Sequence, residues 1–195
     1  MKVNLFLFDD FDTMDAFVPA EVFGKLPEYF HVEYCSVKGD FVTSLQGVKV
    51  WTDYLDEQTA GDILVIPGGK GARRLIRDDE NLCRLLKKAA DQHSFCVMLG
   101  SGTLLMAQTG ILYRRRICDC PLDKNWNRMF TAAIYRTSGA RWVADGKYYS
   151  ASNPLAGMDM CLSILADLTD LKIAETMAEE LGYQWDSDEE DGIYR

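Results

Sequence analysis

Histidine is scarce in this chain of 195 residues: His31 and His93 are the only two. There are six cysteines, and only Cys118 and Cys120 stand close together, with a single residue between them. A zinc knuckle needs two to four residues between paired ligands, and no second pair follows. No metal site is therefore expected, and nothing in the sequence asks for another cofactor. Cys35, Cys83, Cys96 and Cys161 lie in apolar segments and are expected to be buried free thiols. Positive charge is also in deficit, with 21 Lys and Arg against 30 Asp and Glu, a net charge of -9. That balance excludes a general nucleic-acid binder, which needs clustered cations to neutralise phosphates. The one basic run, Arg114-Arg115-Arg116, is expected to be solvated surface. No apolar run approaches the ~18 residues of a membrane span. The first residues, Met1-Lys2-Val3-Asn4-Leu5-Phe6, begin as a strand and lead into acids rather than a signal-peptide cleavage site. A cytoplasmic location is the expectation.

What is present is a chain 48% hydrophobic, long enough for one sizeable core. Short apolar runs alternate with amphipathic ones. Val3 to Phe8 predicts a first buried strand ending at Asp9-Asp10. Apolar residues at helical spacing follow from Asp15 to Leu26, and Pro19 places the helix start near Val18. His31 to Val37 alternates as a strand, and Val42 to Trp51 reads as a hairpin around Gln46-Gly47. The run Asp62 to Ile66, stopping on Pro67-Gly68-Gly69, suits a parallel strand covered on both faces. Leu82, Leu85, Leu86 and Ala89 mark a helix from Asp79 to Asp91. Ser94 to Leu99 is another apolar strand, and it runs through Gly100 into a helix from Thr103 that ends at Gly110. Arg141 to Ser152 predicts two short strands around Asp145-Gly146, with helices near Met158 to Leu168 and Lys172 to Leu181. The domain is expected to span 1–185. Residues 186–195, acid-rich at their start, are expected to form a solvated or loosely ordered tail.

Strands alternating with helices imply βαβ units and a doubly wound, mostly parallel α/β sheet. Such sheets bind ligands at the carboxyl ends of their strands. The sequence marks that edge at Asp9-Asp10, at Pro67-Gly68-Gly69 and at Gly100-Ser101-Gly102. The last is a strand-to-helix elbow, where a residue at position 100 would stand exposed above the sheet beside a helix start. Gly68 and Gly69 bring further backbone N–H groups alongside. With Ser101 and Gly102 they are expected to form an oxyanion or anion site.

At this point the sequence resembles the ThiJ/PfpI superfamily. The resemblance rests on four blocks in order. They are Asp15 to Phe23, Asp62 to Gly71, Ser101 to Ala107 with Gly110 to Leu112, and Arg141 to Gly146 with Ala156 to Asp159. It covers about residues 2 to 185 and is nearest to the isonitrile-hydratase-like branch, which also occurs as the sensor half of some transcription regulators. The resemblance implies a flavodoxin-like three-layer α/β/α sandwich, usually a homodimer. It implies a cysteine at the elbow, an acid from the first helix that hydrogen-bonds the thiol, and N–H groups from the Gly-Gly turn. In the family that cysteine stands two residues before the elbow glycine and ten before the glycine ending the helix. Counted back from Gly102 and from Gly110, both lead to Gly100. The histidine of the hydratase-like branch would fall near Cys120, where none stands. Asp15 holds the acid position, and Ser101 stands where hydratase-like members carry threonine.

Each candidate has a plainer alternative. Asp15 is either the acid at the pocket floor or a helix-cap carboxylate. Ser101 is either a substitute nucleophile, which needs a base within reach, or a cap and ligand donor. Cys120 is either a relocated thiol or a packed one. Arg73 and Arg74 either orient an anionic ligand or sit on the surface. Cys96 is expected to be inert inside its strand, and His31 and His93 lie at the opposite end of the sheet. Residues Asn125 to Thr137 are expected to shape the pocket mouth.

The leading expectation is a small-molecule binding or sensor domain without a covalent nucleophile, acting as a homodimer, with neither nucleic acid nor membrane as partner. The alternative is a hydratase or lyase in which Asp15 serves as acid and base toward water and Ser101 orients it. A third is a surviving role in dimerisation or protein contact alone.

Overall fold

A computed structural model describes residues 1–56, 59–78, 80–119, 133–185 and 193–194. Its centre is an eight-stranded sheet in the order β12 (Ile193–Tyr194), β10 (Trp142–Asp145), β11 (Tyr148–Ala151), β7 (Phe95–Leu99), β6 (Ile63–Ile66), β1 (Lys2–Phe6), β2 (His31–Ser36) and β5 (Asp53–Tyr54). The inner strands are β1 (Lys2–Phe6), β6 (Ile63–Ile66) and β7 (Phe95–Leu99). They pair in parallel, with Val3 opposite Ile63 and Ile63 opposite Phe95. All four residues of β6 are fully buried, as are Cys96 to Leu99. A strand buried on both faces reads as an unbroken apolar run, which is why these were legible. The sheet continues through β2 (His31–Ser36) to β5 (Asp53–Tyr54) on one side. On the other side it continues through β11 (Tyr148–Ala151) to β10 (Trp142–Asp145). The β10–β11 hairpin is the sheet's antiparallel pair.

Helices cover both faces. One layer holds α1 (Thr13–Gly24), α5 (Pro154–Leu168) and α6 (Leu171–Glu180), with α5 packed between the other two. The other holds α2 (Gly71–Asp78), α3 (Glu80–Asp91) and α4 (Gly102–Gln108). This is the α/β sandwich expected. A separate hairpin, β3 (Val42–Thr43) and β4 (Lys49–Val50), stands beside the carboxyl edge.

Several expectations need correction. The first helix starts at Thr13, not near Val18, so Pro19 lies inside it. Proline there removes the N–H that would bond the Asp15 carbonyl. The helix continues because Ala16, Val18, Pro19, Ala20, Val22 and Phe23 are all buried, packed between the sheet and α5. A helix not anticipated, α2, fills the space directly after the Gly-Gly turn. The short strands β5, β8 (Arg116–Cys118) and β9 (Tyr135–Thr137) were also not anticipated. Arg114 to Arg116 is exposed, as expected, and is also tied to the sheet. Arg115 bonds Asp145 at 3.0 Å and lies over the Tyr148 ring, while Arg116 opens β8 with its amide on Asp145 Oδ2 at 2.7 Å. In the tail, Ile193–Tyr194 (β12) pairs in parallel with Ala144 and Asp145 rather than standing free. No helix among the described residues is long and apolar enough to cross a membrane.

Candidate ligand pocket at the strand-to-helix elbow

Three chain crossings at the carboxyl edge build the site. The first follows β1. Asp10 sits at φ 61°, and Phe11 bridges to Gly69. Asp12 then donates its N–H to the Gly68 carbonyl at 2.8 Å, and α1 begins. The second is the Pro67-Gly68-Gly69 turn after β6. The third is the elbow after β7, where Gly100 takes φ 50° and bonds Ala151 O at 3.0 Å. A left-handed conformation between a parallel strand and a helix is costly for any residue with a Cβ.

Asp15 is the third residue of α1 and is 4% exposed. Its Oδ2 accepts the Gly68 N–H at 3.0 Å. It is not a cap: the cap position belongs to Asp12, whose side chain makes no capping bond. Burial pushes the Asp15 carboxyl up to about 7, the charge of Asp12 adds to that, and the Gly68 N–H works against it. Ser101, 8% exposed, clamps the same turn. Its Oγ accepts the Gly69 N–H at 2.9 Å and donates to the Gly69 carbonyl at 3.2 Å. Among the described residues no basic side chain is bonded to it, so its contacts are those of a structural tie rather than an activated nucleophile.

These bonds change the expected anion site. The N–H of Gly68 is taken by Asp15 and that of Gly69 by Ser101, so neither is open to an incoming oxyanion. Gly102 serves packing: a Cβ there would overlap the carbonyl oxygen of Ile66. At Gly100 the situation is reversed. A Cβ would point at Asp15 Oδ2 from 3.0 Å, with Gly68 Cα at 3.9 Å as the next neighbour.

Above Gly100 opens a cavity of about 730 Å³. Asp15, Gly69, Gly100 and Ser101 line it, whereas Gly68 and Gly102 stand behind its wall. Met14, Leu45 and Pro154 give it apolar sides, and Asp12, Lys70 and Arg73 bring charge. Arg74 turns away and bonds Asp10 at 2.6 Å. Several lining residues escaped the sequence reading. Thr13 and Gln46 are brought together from positions 33 apart, and Ser152 and Asn153 precede α5. The only available signal was the hairpin turn at Gln46-Gly47, which does not say what its tip touches. The mouth is not formed by the described part of the 125–137 loop: residues 133–137 are absent from the lining.

The remaining candidates lie elsewhere. Cys120 falls outside the described residues. Cys96 is fully buried, and burial pushes its thiol up to about 12. His31 opens β2, and His93 is buried at the amino edge, bonded to Asn4. Among the described residues no group of three or more His, Cys, Asp or Glu is placed to hold a metal ion.

Similarities to known proteins agree with this fold. Isonitrile hydratase from Pseudomonas putida is 25% identical over 191 residues, covering 94% of this chain and 78% of that protein. A crystal structure of a ThiJ/PfpI family protein from Pseudomonas syringae superimposes with a TM-score of 0.82 at 22% identity, over 97% of this chain and 77% of that one. Drosophila melanogaster DJ-1beta superimposes with a TM-score of 0.81 at 16% identity, over 94% and 98% of the two chains. The family profile matches residues 1–167, and the chain belongs to the DJ-1/PfpI family.

Proposed function

We propose that this protein is a DJ-1/PfpI domain that binds a small molecule at the elbow without a covalent nucleophile, as a binding or sensor module. The observation that carries this reading is the open floor at Gly100, where a side chain would meet Asp15 and glycine leaves the space to a ligand. In this reading Gly100 stands where the family places its cysteine. Glycine relaxes the left-handed elbow and removes the thiol at the same time. The bound molecule contacts Asp15, Gly69 and Ser101 at the floor and the apolar walls above, and its own polar head takes up the hydrogen-bonding capacity that Asp15 leaves unused.

One observation favours a second reading, a hydratase of the isonitrile type. A carboxyl held near 7 is suited to both giving and taking a proton at neutral pH. Asp15 would protonate the terminal isonitrile carbon. Water would add its oxygen to that carbon and return a proton to Asp15, and tautomerisation would give the N-substituted formamide. No covalent enzyme intermediate is required.

One experiment separates the readings. The purified protein is titrated with a panel of small isonitriles and α-oxoaldehydes, following the amide resonances of Gly68, Gly69 and Ser101 and the fate of the added compound. Saturable shifts with the compound recovered unchanged support the binding module. Turnover that disappears in Asp15→Asn assigns the hydratase. Neither shifts nor turnover across the panel contradicts both.

A further inference from the structure

The first turn of α1 carries Asp15, yet it is weakly tied by its own helix. Helix starts leave their first N–H groups without partners, and a side chain at the cap position normally supplies one. Asp12 makes no such bond. Pro19 also deprives the Asp15 carbonyl of its helical donor. The missing support comes from the β3–β4 hairpin, 33 residues away. Gln46 Oε1 accepts the Thr13 N–H at 3.0 Å and the Thr13 hydroxyl at 2.6 Å. Gln46 Nε2 donates to Asp12 Oδ1 at 2.9 Å. The backbone beside it is fixed by Leu45 N–H on the Phe11 carbonyl at 2.8 Å, and Ser44 Oγ lies 2.7 Å from the Thr13 hydroxyl. The turn so held grips both sides of the Gly68 peptide unit's residue: Asp12 N–H on its carbonyl, Asp15 Oδ2 on its N–H.

We propose that Gln46 is a positioning residue for Asp15: its amide replaces the absent cap of α1 and holds the Asp12–Asp15 turn in the geometry that keeps the acid buried and bonded to Gly68. Gln46 itself lines the cavity, so the same side chain closes one wall of the pocket and sets the acid at its floor. A ligand that displaces the hairpin tip would release both. The charged side chains lining the cavity with Asp15 are Asp12 from its own turn and Lys70 and Arg73 from the segment after the Gly-Gly turn. Of these, Asp12 accepts a hydrogen bond from Gln46. The inference rests on Asp15 being the working acid of the pocket, but its test needs no ligand and no turnover, so the two can fail separately.

The test compares the intact protein with Gln46→Ala and with Gln46→Met, which keeps the length and removes both hydrogen-bonding atoms. The side-chain carboxyl carbon of Asp15 and the amide of Gly68 are followed by NMR across pH. In the wild type both are expected to titrate together near 7. In both variants the Asp15 midpoint is expected to fall toward the ordinary carboxylate range as water reaches it, and the Gly68 amide to lose its coupled shift. A lowered unfolding midpoint with the Asp15 titration unchanged would reduce Gln46 to a structural tie and overturn the proposal. A measurement on the wild type guards against variants that do not fold. Among the described residues the Thr13 amide has its acceptor in Gln46, so it should be protected from hydrogen exchange. Exchange at the rate of a free amide would equally overturn the proposal.

Discussion

Each edge of the sheet buries a titratable side chain, His93 at one and Asp15 at the other, and the two are used in opposite ways. At the amino edge His93 is 2% exposed, and both ring nitrogens are engaged: Nδ1 on the Ala89 carbonyl at 2.6 Å, Nε2 on Asn4 Nδ2 at 2.9 Å. That pairing makes the ring neutral, with its proton on Nδ1. It lines neither the elbow cavity nor the smaller one beside Asp9, and Lys147 is bonded to the carbonyls of Ala90 and His93 at the same place. At the carboxyl edge Asp15 is as deeply buried, but it has one hydrogen-bonded oxygen and a cavity of about 730 Å³ in front of it. Burial shifts both groups toward their neutral forms, lowering His93 and raising Asp15. The lesson is that a perturbed titration marks burial, and only the open cavity marks a site.

The comparison makes opposite predictions for stability against pH. Asp15 takes its proton near 7 in the folded chain and near 3.8 in an ordinary environment. Between those values the folded state holds more protons, so stability is complete below about 4 and declines as pH rises through 7. The decline is roughly 4 kcal/mol at most. Asp15→Asn keeps an acceptor for Gly68 and loses the charge. It should abolish this decline and be the more stable protein at pH 8, as read by urea unfolding at pH 5 and 8. His93 works the other way. Its folded value lies below 6.5, so stability is present above that pH and is lost as pH falls. His93→Gln is expected to cost about 1–2 kcal/mol at pH 7 through its two hydrogen bonds. It should remove the acid-side loss and leave the decline governed by Asp15 untouched. If His93→Gln altered the decline governed by Asp15, the two edges would not be independent.

Much of this arrangement was legible in the sequence, for definite reasons. The inner strands β6 and β7 announce themselves because parallel strands buried on both faces are continuous apolar runs. The elbow announces itself because Gly100-Ser101-Gly102 combines a left-handed backbone with close packing against Ile66. Asp15 was found only through its place in a family pattern, and composition alone would have left it a helix cap. The start of α1 was misplaced because the rule for proline is local, whereas the buried face that holds the helix together is a tertiary fact. The anion site was expected from the presence of Gly68 and Gly69. Only coordinates show that Asp15 and Ser101 already occupy their N–H groups. Gln46 was invisible for the same reason, since nothing periodic connects position 46 to position 13.

The central claim is that position 100 opens onto the cavity beside Asp15, and Gly100→Cys tests it most directly. Cys35, Cys96 and Cys161 are buried, and burial raises all three thiols. In the folded variant at neutral pH, the new thiol is expected to be alkylated by iodoacetamide well ahead of those three. Its reactivity should follow the ionisation of Asp15 and change in the double variant with Asp15→Asn. A thiol at position 100 as slow as the buried three, or indifferent to Asp15, would contradict the account.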